Sequence, residues 1–502
     1  MSVRRGMENE YVDVLIVGAG ISGIGAAVHL TKRCPGKTFQ IVESRDDIGG
    51  TWDLFRYPGI RSDSDMYTLG YNFKPWTSRQ AIADGPNIMT YLRETVEEHG
   101  VAKQIRFHCK VMSANWSSDQ AMWSVEIAHG DGSKSEIRCR FLFMCSGYYD
   151  YQQVHDPEFA GRDDFAGQII HPQFWPEDLD YTNKKVVVIG SGATAVTVVP
   201  AMANSADHVT MLQRSPSYVA SRPGVDKLAL FLRKILPANW AYGITRWRNV
   251  LLQLFFFNLA RKRPKLVKKR LLDMIREELG PDYDMTHFTP RYNPWDERLC
   301  AVPDSDLFDA INSGKASVVT DHIERFIPDG IQLKSGKVLE ADIIVTATGL
   351  KLSTGGNAGI SVDGVQVDFG ETINYNGVMF SGVPNLGMTF GYTNSSWTLK
   401  ADLTSEYVCR LLNHMDDHGY DCATPTLPAD GSVEPEPLLD FSSGYVQRAL
   451  ADLPKQGQEK PWRLNQNYAL DIINLRYRKI DDGALVFGKA SEDIDQSHLE
   501  AA

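Results

Sequence analysis

Cysteine is scarce in this sequence and never paired. Seven are scattered singly, at Cys34, Cys109, Cys139, Cys145, Cys300, Cys409 and Cys422, and none stands in a C-x-x-C spacing. An odd, unpaired set argues against a disulfide framework and a dithiol redox centre, and for a reducing compartment. A long apolar run is also missing. The longest, around residues 251–259, falls well short of the roughly 18–20 residues that span a bilayer. The first apolar stretch, residues 12–17, runs at once into glycines, unlike a signal peptide. A cytoplasmic location is the expectation. Excess positive charge is absent: the chain carries −11, so its surface as a whole has no pull on nucleic acid. No low-complexity tract occurs, and no metal site is expected.

What the chain does contain is 43% apolar residues over 502 positions, enough for two or three cores. Residues 12–17 are apolar or β-branched but for Asp13, as in a strand buried on both faces. A glycine-rich turn at 18–23, a helical stretch at 24–32 and a second strand at 38–43 complete a βαβ unit. Residues 107–128 and 136–144 contain alternating stretches, separated by a turn signal at Gly130-Asp131-Gly132. Residues 150–180, rich in proline and acid, read as a linker. A second strand–glycine–helix unit starts at 185–189 and closes at 208–214. Residues 343–349 resemble another buried strand ending in glycine. The expected fold is α/β, with two Rossmann-like dinucleotide-binding domains and a helical insertion. Residues 1–150 and 341–502 would form the first dinucleotide domain, 151–224 and 290–340 the second, and 225–289 the insertion.

The first glycine fingerprint is Gly18-Ala19-Gly20-Ile21-Ser22-Gly23, with Glu43 twenty residues beyond. Gly18 permits the turn, Gly20 lets backbone approach a pyrophosphate, and Gly23 lets helix and strand pack closely. The helix N-terminus offers free N–H groups to the phosphates. Glu43 would take the ribose hydroxyls. The motif follows a strand, opens a helix and has its acid in place, so the match is specific. The second fingerprint is Gly190-Ser191-Gly192-Ala193-Thr194-Ala195. The next strand ends in Gln213-Arg214-Ser215, with arginine where an acid would bind a free 2′-hydroxyl. Arginine suits a 2′-phosphate, which points to NADPH. The plain alternative is a solvated surface arginine. Two dinucleotides on one chain suggest hydride passing from NADPH to a bound flavin.

Phe165, Gly167, His171, Trp175 and Pro176 stand in the order F-x-G-x-x-x-H-x-x-x-W-P. This resembles the fingerprint of Baeyer–Villiger monooxygenases. Gly49-Gly50-Thr51-Trp52-Asp53, followed by Tyr57-Pro58-Gly59 and Asp63, resembles a second fingerprint of that family. The resemblance implies oxidation of a ketone to an ester or lactone, with sulfide or thioamide S-oxidation alongside, through a C4a-peroxyflavin made from FAD, NADPH and O₂. It implies cofactor contacts at Gly50, Thr51, Trp52, Asp53 and Asp63. It also implies a catalytic arginine at Arg298, oriented by Asp63. Arginine suits the task because it keeps its charge beside developing anions. The alternative for Arg298 is a local salt bridge with Asp296 or Glu297. Trp462 resembles a tryptophan of the substrate-side loop. His171 and Trp175 read as hinge and packing residues. Relatives that carry lysine where Glu297 stands use it on the 2′-phosphate, so Arg214 must do more here.

Residues 227–276 hold thirteen Lys or Arg and one acid, Asp273, a local charge of +12 in an acidic chain. Trp247, Val250, Leu251, Leu254 and Phe255 recur at three-and-four spacing. Either this apolar face covers the substrate pocket, or the basic, aromatic helix makes peripheral contact with an anionic membrane. Three other functions compete. An N- or S-oxygenating flavin-containing monooxygenase lacks the Trp175-Pro176 signature. A flavin disulfide reductase lacks its cysteine pair. A non-catalytic flavoprotein docked on membranes would not consume NADPH with O₂.

Overall fold

The computed structural model describes residues 10–490 except 298 and 440. Glu10–Val17 lies inside a nine-stranded sheet. The two-residue period of a strand sends Val14 and Ile16 into one core, and Leu15 and Val17 into another. That is why the stretch is apolar almost throughout. Val14, Leu15 and Ile16 are fully buried, each contributing about 2 kcal/mol by removal from water. Phe39–Val42 and Lys134–Met144 flank this strand in parallel.

Lys134–Met144 then forks. Its first half pairs antiparallel with Met122–His129, which pairs with Cys109–Ser117. Residues 142–144 pair in parallel with Leu386–Met388. The C-terminal part thus rejoins the first sheet, and helix Trp397–His418 packs on helix Ile21–Arg33.

The second sheet has five parallel strands, in the order Ala316–Thr320, His208–Gln213, Lys185–Ile189, Ile343–Thr346 and Gln168–Ile170. Two sequence-based boundaries shift. Ile343–Thr346 belongs to this second sheet, so the return to the first unit falls after it and not at 341. Four buried residues in a row fit either parallel sheet, and the pattern does not say which. Residues 150–180 are more than a linker, because Gln168–Ile170 is an edge strand. The chain crosses between the units twice, side by side: Tyr149–Val154 pairs antiparallel with Leu350–Leu352.

The insertion consists of helices Lys227–Ile235, Ala238–Lys262 and Pro264–Leu279. It straps the two units together. Arg246 Nη1 donates to the carbonyls of Tyr67 (2.9 Å) and Gly70 (2.6 Å), and Asn249 Nδ2 donates to Asp65 Oδ1 (2.8 Å). At the other end Ile275 joins the second core, and Ser305 Oγ donates to Glu278 Oε1 (2.7 Å). The inward face of the long helix is therefore largely polar. Of the five residues read as a candidate pocket cover, Val250 and Leu254 pack on the first core, while Trp247, Leu251 and Phe255 are 44%, 57% and 60% exposed. Helical spacing shows that residues share a face, not which way the face points.

Candidate functional site at the meeting of two glycine loops

A cavity of about 360 Å³ collects residues that follow strand ends in both sheets. Gly18, Gly20, Ser22 and Glu43 line it from the first unit, and Ala193 and Thr194 from the second. Gly20 and Gly192 are the N-caps of the two loop helices, neither with a side-chain cap and neither with an acid in the first turn. The helix ends thus present uncompeted N–H donors to an anion.

The loops differ in what holds them. A methyl group at Gly23 would sit 1.9 Å from the Gly18 carbonyl oxygen, so close packing alone demands glycine there. Ala195 takes that place in the second loop, fully buried in the second core. A methyl at Gly192 would meet nothing within 4 Å. No protein contact requires glycine at that position, which fits a backbone kept clear for a ligand. Glu43 is buried, and its carboxylate accepts from Ala19 N (2.7 Å), Arg45 N (3.0 Å) and Ser44 Oγ (3.3 Å). Ser22 Oγ accepts from the Trp397 indole N–H (2.7 Å). Ser191 Oγ donates to the Ser215 carbonyl and meets Ser217 Oγ, both at 3.0 Å, tying the second loop to the segment that carries Arg214.

Gly50, Thr51, Trp52 and Asp63 also line the cavity. Asp53 does not. Its buried carboxylate is clamped by Arg45 Nη2 (2.5 Å) and Arg56 Nη2 (2.6 Å), which latches the 49–56 turn. Gln213 is likewise withdrawn: its buried Nε2 donates to the His287 carbonyl (2.7 Å) and Thr320 Oγ1 (2.9 Å). Arg214 and Ser215 are exposed. Burial pushes the Glu297 carboxyl above its ordinary value while the Arg214 charge pulls it down, so the two face one another. Trp462 is 4% exposed, edge-on to Tyr375 (ring centroids 5.7 Å apart), in the core around helix Trp397–His418 and away from the cavity lining. Arg298 lies outside the described residues.

The sequence reading missed an aromatic wall. Tyr57, Tyr148, Tyr149, Tyr392 and Trp397 line the cavity, and Tyr148 stacks on Trp397 with centroids 4.9 Å apart. Tyr57 lines the cavity together with Thr194 of the second loop, and burial and the Asp63 charge hold its phenol above the ordinary value. The available signal was the tyrosine pair directly after Ser146-Gly147, at the end of a buried strand. Cys145 also lines the cavity, and burial pushes its thiol up to about 12. It is therefore protonated at neutral pH and unsuited to thiolate chemistry.

The F-x-G-x-x-x-H-x-x-x-W-P segment lies beside the crossings. A methyl at Gly167 would sit 2.2 Å from the Asp342 carbonyl oxygen. His171 Nδ1 accepts from Gln173 N (3.2 Å), and Gln173 Nε2 donates to the Asp150 carbonyl (2.9 Å) on the first crossing. The other ring nitrogen, His171 Nε2, is buried with no hydrogen-bond partner among the described residues. Trp175 packs against the second core.

Two dinucleotide loops on one cavity, with two antiparallel crossings between sheets, define a two-nucleotide flavoprotein oxidoreductase fold. The family described as flavin-binding monooxygenase-like matches residues 80–233, and an NAD(P)-binding Rossmann-like domain matches residues 16–93. The chain is 56% identical to the FAD-containing monooxygenase EthA of Mycobacterium tuberculosis, over 96% of this chain and 98% of that one. It is 50% identical to the probable FAD-binding monooxygenase AlmA of Acinetobacter baylyi, over 97% and 98%. Its fold matches the open crystal structure of cyclohexanone monooxygenase with a TM-score of 0.75 at 19% identity, covering 96% of this chain and 100% of that one. It also matches an NADP-bound steroid monooxygenase with a TM-score of 0.73 at 22% identity, covering 95% and 100%. The chain belongs to the FAD-containing monooxygenase family. It is an FAD-dependent enzyme that takes O₂ and a small-molecule substrate.

The residues present fit FAD. The uncapped helix at Gly20 suits the pyrophosphate, and Glu43 suits the ribose. Near the start of helix Trp397–His418, two buried polar atoms, Asn394 Oδ1 and Thr398 Oγ1, have no partner in the protein. They flank Ser395 and Trp397 of the cavity lining.

Proposed function

We propose that the protein is an NADPH- and O₂-dependent Baeyer–Villiger monooxygenase. It would convert ketones to esters or lactones and carry sulfide and thioamide S-oxidation in the same site. One observation carries the reading: the first glycine loop and Ala193 and Thr194 of the second line one cavity, and the second motif is followed by an arginine in place of an acid. The two Baeyer–Villiger fingerprints support the ketone class. Bound FAD supplies the activation of O₂.

The chain's own residues do the rest. Gly18, Gly20, Ser22, Gly23 and Glu43 hold FAD, with Gly50, Thr51 and Trp52 closing the turn beside it. Gly190, Ser191, Gly192, Ala193, Thr194 and Ala195 build the second cradle, and Arg214 pairs with a 2′-phosphate. Tyr57 shares the cavity wall with Thr194, between the two cradles. The aromatic wall excludes water, which strengthens every charge inside. Arg298 supplies a permanent cation for the anionic stages, and Asp63, on the cavity wall, orients it. Seven free cysteines support a reducing, cytoplasmic setting.

The test is NADPH consumption with linear, cyclic and aryl ketones and a sulfide, with products identified. Ester formation is expected. Sulfoxide without any ester would move the enzyme to the N- and S-oxygenating sister group. Arg298→Ala should keep its FAD and lose ester formation by about a hundredfold or more. Normal ester yield from that variant would remove Arg298 from the mechanism.

A further inference from the structure

The insertion turns its greasiest face to solvent. On Ala238–Lys262, Trp240 (70%), Ile244, Trp247, Leu251 and Phe255 (60%) are exposed at steps of three and four along one face, with exposed Phe256 beside them. The stripe from Trp240 to Phe256 runs about 24 Å at 1.5 Å per residue. Leu228, Phe231 and Ile235 of the preceding helix are exposed as well. Basic residues bracket the stripe: Lys227 and Lys234 at one end, Lys262, Arg263, Lys265 and Lys269 at the other, all exposed. The inward face is committed to the first unit through Tyr242, Arg246 and Asn249, so the helix is not free to roll its stripe inward.

We propose that this face docks on an anionic lipid bilayer, with the helix lying in the interface plane. Charge selects the occupant. The segment 227–276 carries +12 while the whole chain carries −11. A two-fold contact between copies would press the same exposed lysines and Arg263 against one another, which like-charge repulsion opposes. An anionic headgroup layer attracts the lysines while the acyl boundary takes the apolar stripe. Tryptophans suit that boundary, because their rings are apolar and their N–H groups reach the wet layer. Among the described residues no helix is long and apolar enough to cross a membrane, so the attachment is peripheral. The docking does not depend on the Baeyer–Villiger reading.

The experiment is flotation of FAD-loaded full-length protein with vesicles of phosphatidylglycerol and phosphatidylcholine, or of phosphatidylcholine alone. The expected result is capture by the anionic vesicles at low salt, at least about tenfold weaker without anionic lipid or at high salt. The triple variant W240S/L251S/F255S should lose capture by a similar factor, and K262E/K265E should lose most of it. None of these residues lines the cavity, so flavin content and NADPH oxidation should stay at the parent level, which shows that the variants fold. No capture of the parent protein at low salt would overturn the proposal. So would capture that survives the triple substitution. A dimer on gel filtration that W240S/L251S/F255S converts to monomer would assign the face to a second copy and overturn it equally.

Discussion

The two glycine loops share a spacing and differ in what their protein surroundings require. At Gly23 the fold itself demands glycine, since a methyl would strike the Gly18 carbonyl oxygen at 1.9 Å. The second loop accepts Ala195 at the equivalent place and leaves Gly192 facing open space. The partner residues differ the same way. Glu43 is buried and held by two backbone N–H groups and a hydroxyl, whereas Arg214 is exposed. Both loops start on a glycine that the fold requires, Gly18 and Gly190, and both keep the middle glycine clear of close contact. They differ at Gly23 and in the buried acid against the exposed arginine, which suits a resident FAD in the first and a nicotinamide cofactor in the second.

The sharpest way to break this comparison is to add one methyl to each loop. Gly23→Ala should cost about 3 kcal/mol of stability and yield protein without bound flavin, read from visible absorbance and Tm. Gly192→Ala should fold with full FAD and parent Tm, with KM for NADPH raised about tenfold. Equal loss of flavin in both variants would erase the distinction.

A smaller effect tests the partner residues. Arg214→Ala should raise KM for NADPH about tenfold to a hundredfold, the worth of one or two charge-assisted hydrogen bonds. KM for NADH should stay unchanged. If both rise alike, Arg214 is not reading a 2′-phosphate.

The smallest expected effect is on the crossings that join the two loops' domains. Burial holds the His171 imidazole below its ordinary value of 6.5. The unfolded chain therefore takes up this proton first as pH falls. The stability is full above 6.5 and is lost as pH drops toward the folded value. His171→Gln should make the decline of Tm on acidification shallower. A decline that is identical in the variant would show that His171 does not titrate with folding.

Much of this was legible because glycine spacing, an acid at a strand end and buried apolar runs are local signals. Both βαβ units and the Glu43 and Arg214 contrast come from such signals. Sidedness was not legible. Trp247, Leu251 and Phe255 have the spacing of one helix face, but only the tertiary contacts of Arg246 and Asn249 decide that they point outward. Sheet membership was not legible for Ile343–Thr346, because a fully buried strand looks the same in either unit. Asp53 and Gln213 sit inside apparent binding motifs, yet their polar atoms are taken by Arg45, Arg56, His287 and Thr320. The aromatic wall comes from segments far apart in sequence, so no single window shows it.

The central claim is that the two nucleotide sites open on one cavity, so that NADPH delivers hydride directly to the bound flavin. Mixing NADPH with the FAD-loaded protein without oxygen, while following the flavin's visible absorbance, tests it most directly. The account predicts rapid bleaching in the parent protein. It predicts much slower bleaching in Gly192→Val, whose flavin dithionite still reduces. A flavin that stays oxidised under saturating NADPH in the parent protein would contradict it.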